Sequence, residues 1–474
     1  MVFQNEILAG SSGSSASSVY QIEQSIRFDD SNPAYMRRTP SSASNKKTWT
    51  YSGWIKRGDQ PANYGAGMVL LHHGNSGTGL QEVIRINTAS GSTHSTLMYY
   101  SDSPSSNLTT TQVLRDGASW YHIVVAKDTT QSTASDRVKI YINGQRVTSF
   151  STETYPSLNG EGFINSNVLH NISCDQNGGS NYDGYIAELN FIDGSQLDPS
   201  SFGETNQNGI WIPKEYSGSY GTNGFYIKGA DASSLGADSS GNGNDFSTSG
   251  LSADDQVPDS PSNNWCTWNV VDKTPTSVQT ISNGNLQVVT SGATSADGIS
   301  GTQAITSGIW YWESRQQTAQ VYNCYIGIKS TEVSNNKLPP TNTPDNNGST
   351  IGYWGVGLYK DGSKVQDVTT SGNGDVVGIV VNLDASPQTV QFYRNGSTSG
   401  TAIEISSGFT WLPISSTNSS GYSAGTTSMT NFGQDSTFGG QITASTNTDA
   451  NGLGNFKYSV PSNALAICTK NLGS

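Results

Sequence analysis

Few residues in this chain have the types and spacing that chemistry demands. A glycosidase needs two carboxylates flanking the bond it cleaves. On one strand the simplest supply is two acids separated by one residue, because alternate side chains share a face. No D/E-x-D/E triplet occurs in the 474 residues. Glu188 and Glu313 stand alone in strand-like segments and read as edge or loop-anchoring groups. Carboxylates from different strands could still converge, which sequence spacing does not reveal. His72 and His73 are adjacent on a strand pattern, so their rings point to opposite faces and do not chelate one ion together. His94, His122 and His170 have no Cys, Asp or Glu at ligand spacing. One G-x-S-x-G match, GYSAG, places Ser423 in the position of a nucleophile. It lacks the preceding apolar strand and following helix of a true elbow, and no histidine follows His170. On these grounds the chain is expected not to be an enzyme.

Binding chemistry is better represented. Asp238, Asn242, Asn244 and Asp245 lie in DSSGNGND, and their oxygens could ligate calcium, a hard cation. The spacing is not that of an EF-hand, and Asx residues in such a turn can instead bond their own backbone. Apart from that possible calcium, no cofactor is expected. Tyr99-Tyr100, Trp120-Tyr121, Trp310-Tyr311-Trp312 and Tyr353-Trp354 are runs of neighbouring rings. In a strand at least one ring of each run faces away from the core. Trp49, Trp120 and Trp354 have apolar neighbours and are expected inside. Tyr99 or Tyr100, and Trp310 or Trp312, are the expected surface contacts for a sugar or a protein.

The elements that must position these groups are strands. Hydrophobic residues make up 33% of the chain, charged residues 13%, and there are 53 glycines. That balance disfavours long helices and favours short strands joined by turns. In TWTYSGWIK, Trp49, Tyr51, Gly53 and Ile55 fall on one face and Thr50, Ser52, Trp54 and Lys56 on the other. Further strands are expected over 24–28, 68–73, 82–87, 96–100, 120–127, 137–143 and 185–192. In the second half they are expected over 308–314, 322–329, 351–360, 375–383 and 389–396. Asn143-Gly144 and Asn395-Gly396 each follow a strand pattern and signal type I′ hairpins. Many short strands without helical periodicity between them indicate an all-β fold of antiparallel sandwiches.

Charge and processing signals narrow the setting. With 37 acidic against 24 basic side chains the formal net charge is −13, which repels phosphate backbones, so no nucleic-acid partner is expected. No apolar run is long enough to cross a bilayer, and the N-terminus has no signal-peptide pattern, so neither membrane insertion nor Sec export is expected. Cys174, Cys266, Cys324 and Cys468 form no C-x-x-C pair and read as free, buried thiols. Val2, Phe3, Ile7 and Leu8 precede a Gly/Ser arm and form a candidate anchoring peptide.

Residues SIRFDDSNPAYMRRTPSSASNKKTWTYSGWIKRG, then WYHIVVAKD, VKIYINGQRV and YIAELNFIDG, resemble the laminin-G-like, concanavalin A-like lectin domain of marine and cyanobacterial phage structural proteins. W-Y-W-E, W-G-V-G-L-Y-K-D-G, G-D-V-V-G and V-Q-F-Y-R-N-G, in that order, resemble a SPRY domain. The resemblance implies two tandem concanavalin A-like jelly rolls: an arm over 1–19, a lectin-like domain over 20–250, a linker over 251–267, and a SPRY-like domain over 268–474. Phe225 to Lys228 and Asp245 to Ser247 then become closing strands of the first sandwich. Segments 431–434 and 456–472 become C-terminal strands of the second. SPRY domains generally bind through loops at one end, here expected to be 330–349 and 418–430.

The resemblance further implies a phage virion protein, a fibre, spike or capsid decoration. Its arm would contact other virion proteins and its sandwiches would meet host-surface glycans. A homo-oligomer, such as a trimer, would add avidity to weak lectin contacts. The alternatives are a polysaccharide depolymerase and a purely structural capsid cement protein.

Overall fold

The computed structural model describes residues 19–59, 67–74, 79–88, 95–274, 279–290, 296–317, 324–335, 348–418 and 426–473. The anchoring residues Val2, Phe3, Ile7 and Leu8, and Ser423 of GYSAG, lie outside these. The chain divides into two compact units that meet in sequence at Asn263 and Asn264.

The first unit is a sandwich of two antiparallel sheets. One runs in the order Gln145–Arg146, Val138–Ile142, Tyr121–Asp128, Thr48–Arg57, Gly184–Asp193, Ser25–Phe28, Gln256–Val257, with Phe225–Ile227 also paired to Gly184–Asp193. The other runs Phe150–Thr154, Ser105–Val113, Ser95–Asp102, Gln81–Thr88, Met68–Gly74, His170–Ile172, Tyr35–Arg38, Ser247–Ser249. The alternation in TWTYSGWIK holds: Trp49, Tyr51 and Ile55 enter the core between the sheets, while Trp54 packs on the outer face with Ile22, Trp120 and Tyr185. Trp49 lies 6.1 Å from the Tyr99 ring and 5.8 Å from Phe191, so side chains from both sheets interlock.

Residues 251–263 are not a free linker. Gln256–Val257 adds an edge strand beside Ser25–Phe28, and Asp259, fully buried, pairs with the equally buried Lys56 at 2.8 Å. The reason is non-local: Lys56 and the Trp120 indole, whose Nε1 donates to Asp259 at 3.1 Å, lie far back in the sequence.

The second unit repeats the architecture. One sheet runs Trp268–Lys273, Ala296–Gly301, Trp411–Asn418, Cys324–Ser330, Thr350–Trp354, Gly357–Lys360, Ser363–Asp367. The other runs Gln279–Ser282, Gln287–Thr290, Thr426–Asn431, Ile309–Gln316, Val376–Asn382, Thr389–Arg394, Ser397–Glu404. The expected single strand over 351–360 is two strands, paired through a turn at Gly355 with φ +57°. Segment 456–472 is mostly irregular, carrying only the short strand Leu465–Ala466 and the helix Thr469–Leu472. Both Asn-Gly hairpins form with left-handed turn residues: φ is 48° and 77° at Asn143 and Gly144, and 49° and 79° at Asn395 and Gly396. All four cysteines are free and buried. No helix among the described residues is long and apolar enough to cross a membrane.

Candidate functional site

The expected surface rings fare unequally. Tyr99 is buried, its hydroxyl donating to Glu82 at 2.7 Å, while Tyr100 is half-buried on the outer face of its sheet. Trp310 and Trp312 are both buried in the main core of the second unit and are withdrawn as surface contacts. Tyr311 does face away from that core, as alternation requires. It is nonetheless covered by Phe456, 5.2 Å away, and by Ala464 and Ala466, because the C-terminal segment folds over that face.

In the Asx turn the carboxylates of Asp238 and Asp245 bond the chain itself. Asp238 Oδ1 accepts from Tyr226 N at 2.8 Å and Ser240 N at 2.9 Å. Its Oδ2 accepts from Ser240 Oγ and Asn244 N, both at 2.8 Å. Asp245 Oδ1 accepts from Asp238 N at 2.7 Å. The Asn242 and Asn244 amides donate to the Gly221, Thr222 and Gly224 carbonyls. Arg38 reaches Asn244 Oδ1, so the local positive charge is a guanidinium. Asp238 Oδ1 thus ties the turn to strand Phe225–Ile227, while Asp238 Oδ2 and Asp245 Oδ1 bond within the turn.

The two loops expected to form one binding end of the second sandwich leave it from opposite ends. Ser330 is paired with Trp411 and Cys324 with Thr417, so connections departing after Ser330 and after Asn418 diverge. Residues 336–347 and 419–425 lie outside the described residues.

What sequence spacing missed is around Glu188. Strand Gly184–Asp193 shifts register against Thr48–Arg57 between Ala187 and Asn190. Glu188 stands in this bulge with φ 49°, a conformation uncommon for a side chain of its size. The bulge holds its carboxyl on the outer face, only 7% exposed. Tyr226, from strand Phe225–Ile227, donates its hydroxyl to Glu188 Oε1 at 2.5 Å, and the Tyr20 hydroxyl lies 3.2 Å from that of Tyr226. Tyr220 donates to Asn190 Oδ1 at 2.7 Å, and Asn190 Nδ2 donates back to the Glu188 carbonyl at 2.9 Å. The rings continue outward. Tyr220 stacks on Tyr226 with centroids 6.2 Å apart, Tyr216 meets Tyr220 edge-on at 5.1 Å, and Phe202 stacks on Tyr216 at 5.0 Å.

Tyr20, Tyr216, Tyr220 and Tyr226 are each half-buried, with their hydroxyls fixed by hydrogen bonds. Burial raises the Glu188 carboxyl above the ordinary range against the opposing Tyr226 bond, and Glu215 nearby pushes the same way. Burial, then the Glu188 charge, raises Tyr20, Tyr220 and Tyr226, so all three phenols stay protonated donors. Rings with oriented hydroxyls around a polar centre can stack on the apolar face of a sugar while reading its hydroxyls. The sequence signal was present in KEYSGSYGTNGFYIK, whose tyrosines look like loop residues until the bulge gathers them.

Carboxylates from distant segments also meet at Asp29, Asp30 and Asp183, whose oxygens lie within 4.8 Å of one another. Burial, then the neighbouring Asp29, pushes Asp30 up to about 6. Asp29 Oδ1 is engaged by Ser31 through its N–H at 2.9 Å and its hydroxyl at 2.7 Å. In the second unit Glu313 is buried, and its oxygens accept from the backbone N–H groups of Lys457 and Tyr458, the Tyr311 hydroxyl and the Asn431 amide. It anchors the C-terminal segment, the loop-fixing role expected of an isolated acid.

Residues 30–199 match the concanavalin A-like lectin/glucanases superfamily, and residues 309–435 match the SPRY domain. The chain thus carries a concanavalin A-like domain followed by a SPRY domain. The first sandwich extends past the matched region, since Phe225–Ile227, Ser247–Ser249 and Gln256–Val257 complete its sheets. No curated protein matches the chain. Among solved structures, the SPRY domain of human HERC1 is 16% identical, with a TM-score of 0.29, covering 34% of this chain and 96% of that one. The TRIM65 PSpry domain is 14% identical, with a TM-score of 0.27, covering 35% of this chain and 90% of that one.

Proposed function

We propose that this chain is a non-catalytic adhesion protein of a phage particle, a fibre, spike or capsid decoration whose first sandwich contacts host-surface glycans through the tyrosine patch around Glu188. A carbohydrate- or protein-binding role accords with the concanavalin A-like and SPRY domains. The observation that carries the glycan reading is the set of four half-exposed tyrosines, of which Tyr226 is held by Glu188, Tyr220 by Asn190, Tyr20 through Tyr226 and Tyr216 by the Ser219 carbonyl. The phage setting rests on the likeness of the first-sandwich motifs to phage structural proteins. In this reading the N-terminal residues Val2, Phe3, Ile7 and Leu8 dock on other virion proteins. Weak single-site contacts gain avidity from several copies, such as a trimer.

Tyr220→Ala should abolish glycan-array binding and host-cell adsorption of the intact chain while leaving its melting temperature within a few degrees. Unchanged adsorption would remove the patch from the reading. Locating the chain on the particle by cryo-EM tests the virion assignment. Deleting residues 1–18 should prevent incorporation if the arm is the anchor.

One observation favours a second reading. Glu188 is an acid with a raised pKa near a second carboxylate, Glu215, in an aromatic setting, which are ingredients of a polysaccharide depolymerase. Release of reducing sugar from host capsule, lost in Glu188→Gln, would establish that reading and overturn ours.

A further inference from the structure

The outer face of the other sheet of the first sandwich, away from the tyrosine patch, carries polar atoms that its own chain leaves unanswered. Residues paired across neighbouring strands share a face. One row crosses the sheet through Arg37, Asn171, His72, Val83, Tyr100 and Asn107. In the next row Arg85 stands opposite Met98. Met36, adjacent to Arg37, points into the core, which fixes the row as outward-facing.

A relay of bonds sets the protons in this row. Arg37 Nε donates to Asn171 Oδ1 at 2.9 Å, which orients the amide. Asn171 Nδ2 then lies 3.3 Å from His72 Nδ1 and donates to it, leaving the ring proton on Nε2. His72 is 1% exposed; the Gln81 side chain stands near its ring, but no group meets Nε2 at hydrogen-bond geometry. Gln176 Oε1 is likewise buried without a partner. The two meet over Gly74, where a Cβ would stand 3.0 Å from His72 Nε2 and 2.6 Å from Gln176 Oε1. An unanswered donor beside an unanswered acceptor is what a hydroxyl satisfies, accepting from one and donating to the other. Gln176 is half-buried on a surface turn, so it is the side of the pair nearer solvent.

Arg85 supplies the charge. Its Nε is buried without a partner, and no carboxylate of the described residues forms an ion pair with it. The acids on this face are occupied. Asp102 accepts from the Tyr100 hydroxyl and from Gln81 N at 2.8 Å, and Asp175 accepts from Asn177 N, Gly179 N and Ser180 Oγ within its own turn. A partly desolvated guanidinium left unpaired is costly, and more conspicuous in a chain of net charge −13. Arg85 lies two residues beyond Val83, the residue opposite His72, so about 7 Å along the strand separates the two groups, close to the span of one sugar ring.

We propose that this face binds one acidic sugar unit of a polysaccharide, with its carboxylate or sulfate on Arg85, its ring against Tyr100, and a hydroxyl between His72 Nε2 and Gln176 Oε1. This is a site on the opposite sheet from the tyrosine patch, and it stands or falls separately from that reading.

The probes are an oligoglucuronate, the same oligosaccharide with its carboxyl groups reduced, a sulfated neutral oligosaccharide and inorganic sulfate, each titrated into the full chain by calorimetry. The oligoglucuronate or the sulfated sugar should bind at least about tenfold tighter than the carboxyl-reduced form, the worth of a charge-assisted contact. Arg85→Gln should remove that preference while leaving the reduced form's affinity unchanged. Tyr100→Ala and Gln176→Ala should weaken acidic and reduced forms by the same factor. Tyr220→Ala, which tests the tyrosine patch, should leave all these values alone. Equal binding of acidic and reduced forms by the unmodified chain, or no binding of either acidic sugar, overturns the proposal without any variant having to fold. Binding of inorganic sulfate as tight as that of the sulfated sugar overturns the saccharide part, leaving an anion site only.

Discussion

Two fully buried acids, Glu82 in the first sandwich and Glu313 in the second, are held in opposite ways. In the first, Glu82 is fully buried 2.6 Å from the ammonium of Lys127, itself fully buried and 5.5 Å above the Trp49 ring. Burial alone would raise the Glu82 carboxyl. Lys127, together with the Ile164 N–H and the Tyr99 hydroxyl, outweighs it and holds the group below the ordinary range. In the second, Glu313 is equally buried but is held by N–H and O–H donors alone. There burial wins and pushes it up to about 7. The same fold therefore contains one acid that is charged throughout the neutral range and one that titrates within it. What separates them is whether a cation arrives from a facing strand.

The hairpins are where the two agree. The Asn143 side chain accepts from His122 N at 2.7 Å, and Asn395 accepts from Val376 N at 3.0 Å, each tying its turn to the start of a neighbouring strand. Each following glycine lies beneath an aromatic ring from a later segment. A Cβ on Gly144 would stand 2.5 Å from Trp211, and one on Gly396 2.6 Å from Tyr458. The difference lies above the turn, since Trp211 Nε1 also donates to His122 Nδ1 at 3.0 Å.

The largest effect that would expose the contrast is Lys127→Ala. It strands a buried carboxylate, so the first sandwich should lose about 3–5 kcal/mol in chemical denaturation while the second keeps its transition. If the first transition barely moves, Glu82 does not depend on its cation and the two acids are alike.

A pH series comes next. The folded-state pKa of Glu313 lies above its unfolded value, so its stabilisation is complete below about pH 4.5 and is lost as pH rises through about 7. The second sandwich should weaken by on the order of 3 kcal/mol between pH 4.5 and 8 from this group, and Glu313→Gln should flatten the dependence. Glu82, with its pKa lowered, contributes above the ordinary carboxyl range and loses that contribution only as pH falls through its own lowered value. Glu82 therefore contributes no loss to the first sandwich between pH 5 and 8. A calorimetric scan in which Glu313→Gln leaves the pH dependence of the second transition unchanged would remove the distinction.

Smaller effects test the shared device. Gly144→Ala and Gly396→Ala each force a side chain into a left-handed turn beneath a ring, for about 2 kcal/mol each. Gly144→Ala should be the costlier, because displacing Trp211 also breaks its bond to His122. Equal losses of melting temperature would show that the ring contact alone sets the cost. Smallest should be Asn395→Ala, about 1 kcal/mol for one turn-to-strand bond.

Much of the fold could be read in the residues. TWTYSGWIK, WYHIVVAKD and DVVGIVVNL lie within or overlap strands of the structure, and both Asn-Gly pairs make the turns they signal. Much less of the candidate site could be read. Trp310 or Trp312 was expected at the surface because adjacent rings cannot all enter one core. Tyr311, the ring that does turn away, is roofed by Phe456, almost 150 residues later. Glu188 looked like an isolated acid because its bulge arises from a register shift against Thr48–Arg57 and leaves no mark in its own neighbours. DSSGNGND could be read as a calcium loop or as a self-bonded turn because oxygen ligands and oxygen acceptors are the same atoms. Only the fold brings Tyr226 N and Arg38 to them.

By itself the sequence determined the local terms: strands from a period of two, tight turns from Asn-Gly, free thiols in apolar runs, and an acidic surface. These depend on backbone preference and on one buried face, both written within a few residues. Only the tertiary structure decided which outer faces are covered, which buried acid meets a cation, and where four tyrosines gather around Glu188. Those outcomes depend on segments far apart in the chain, and alternation along a strand records that one face is buried but not what lies across the other.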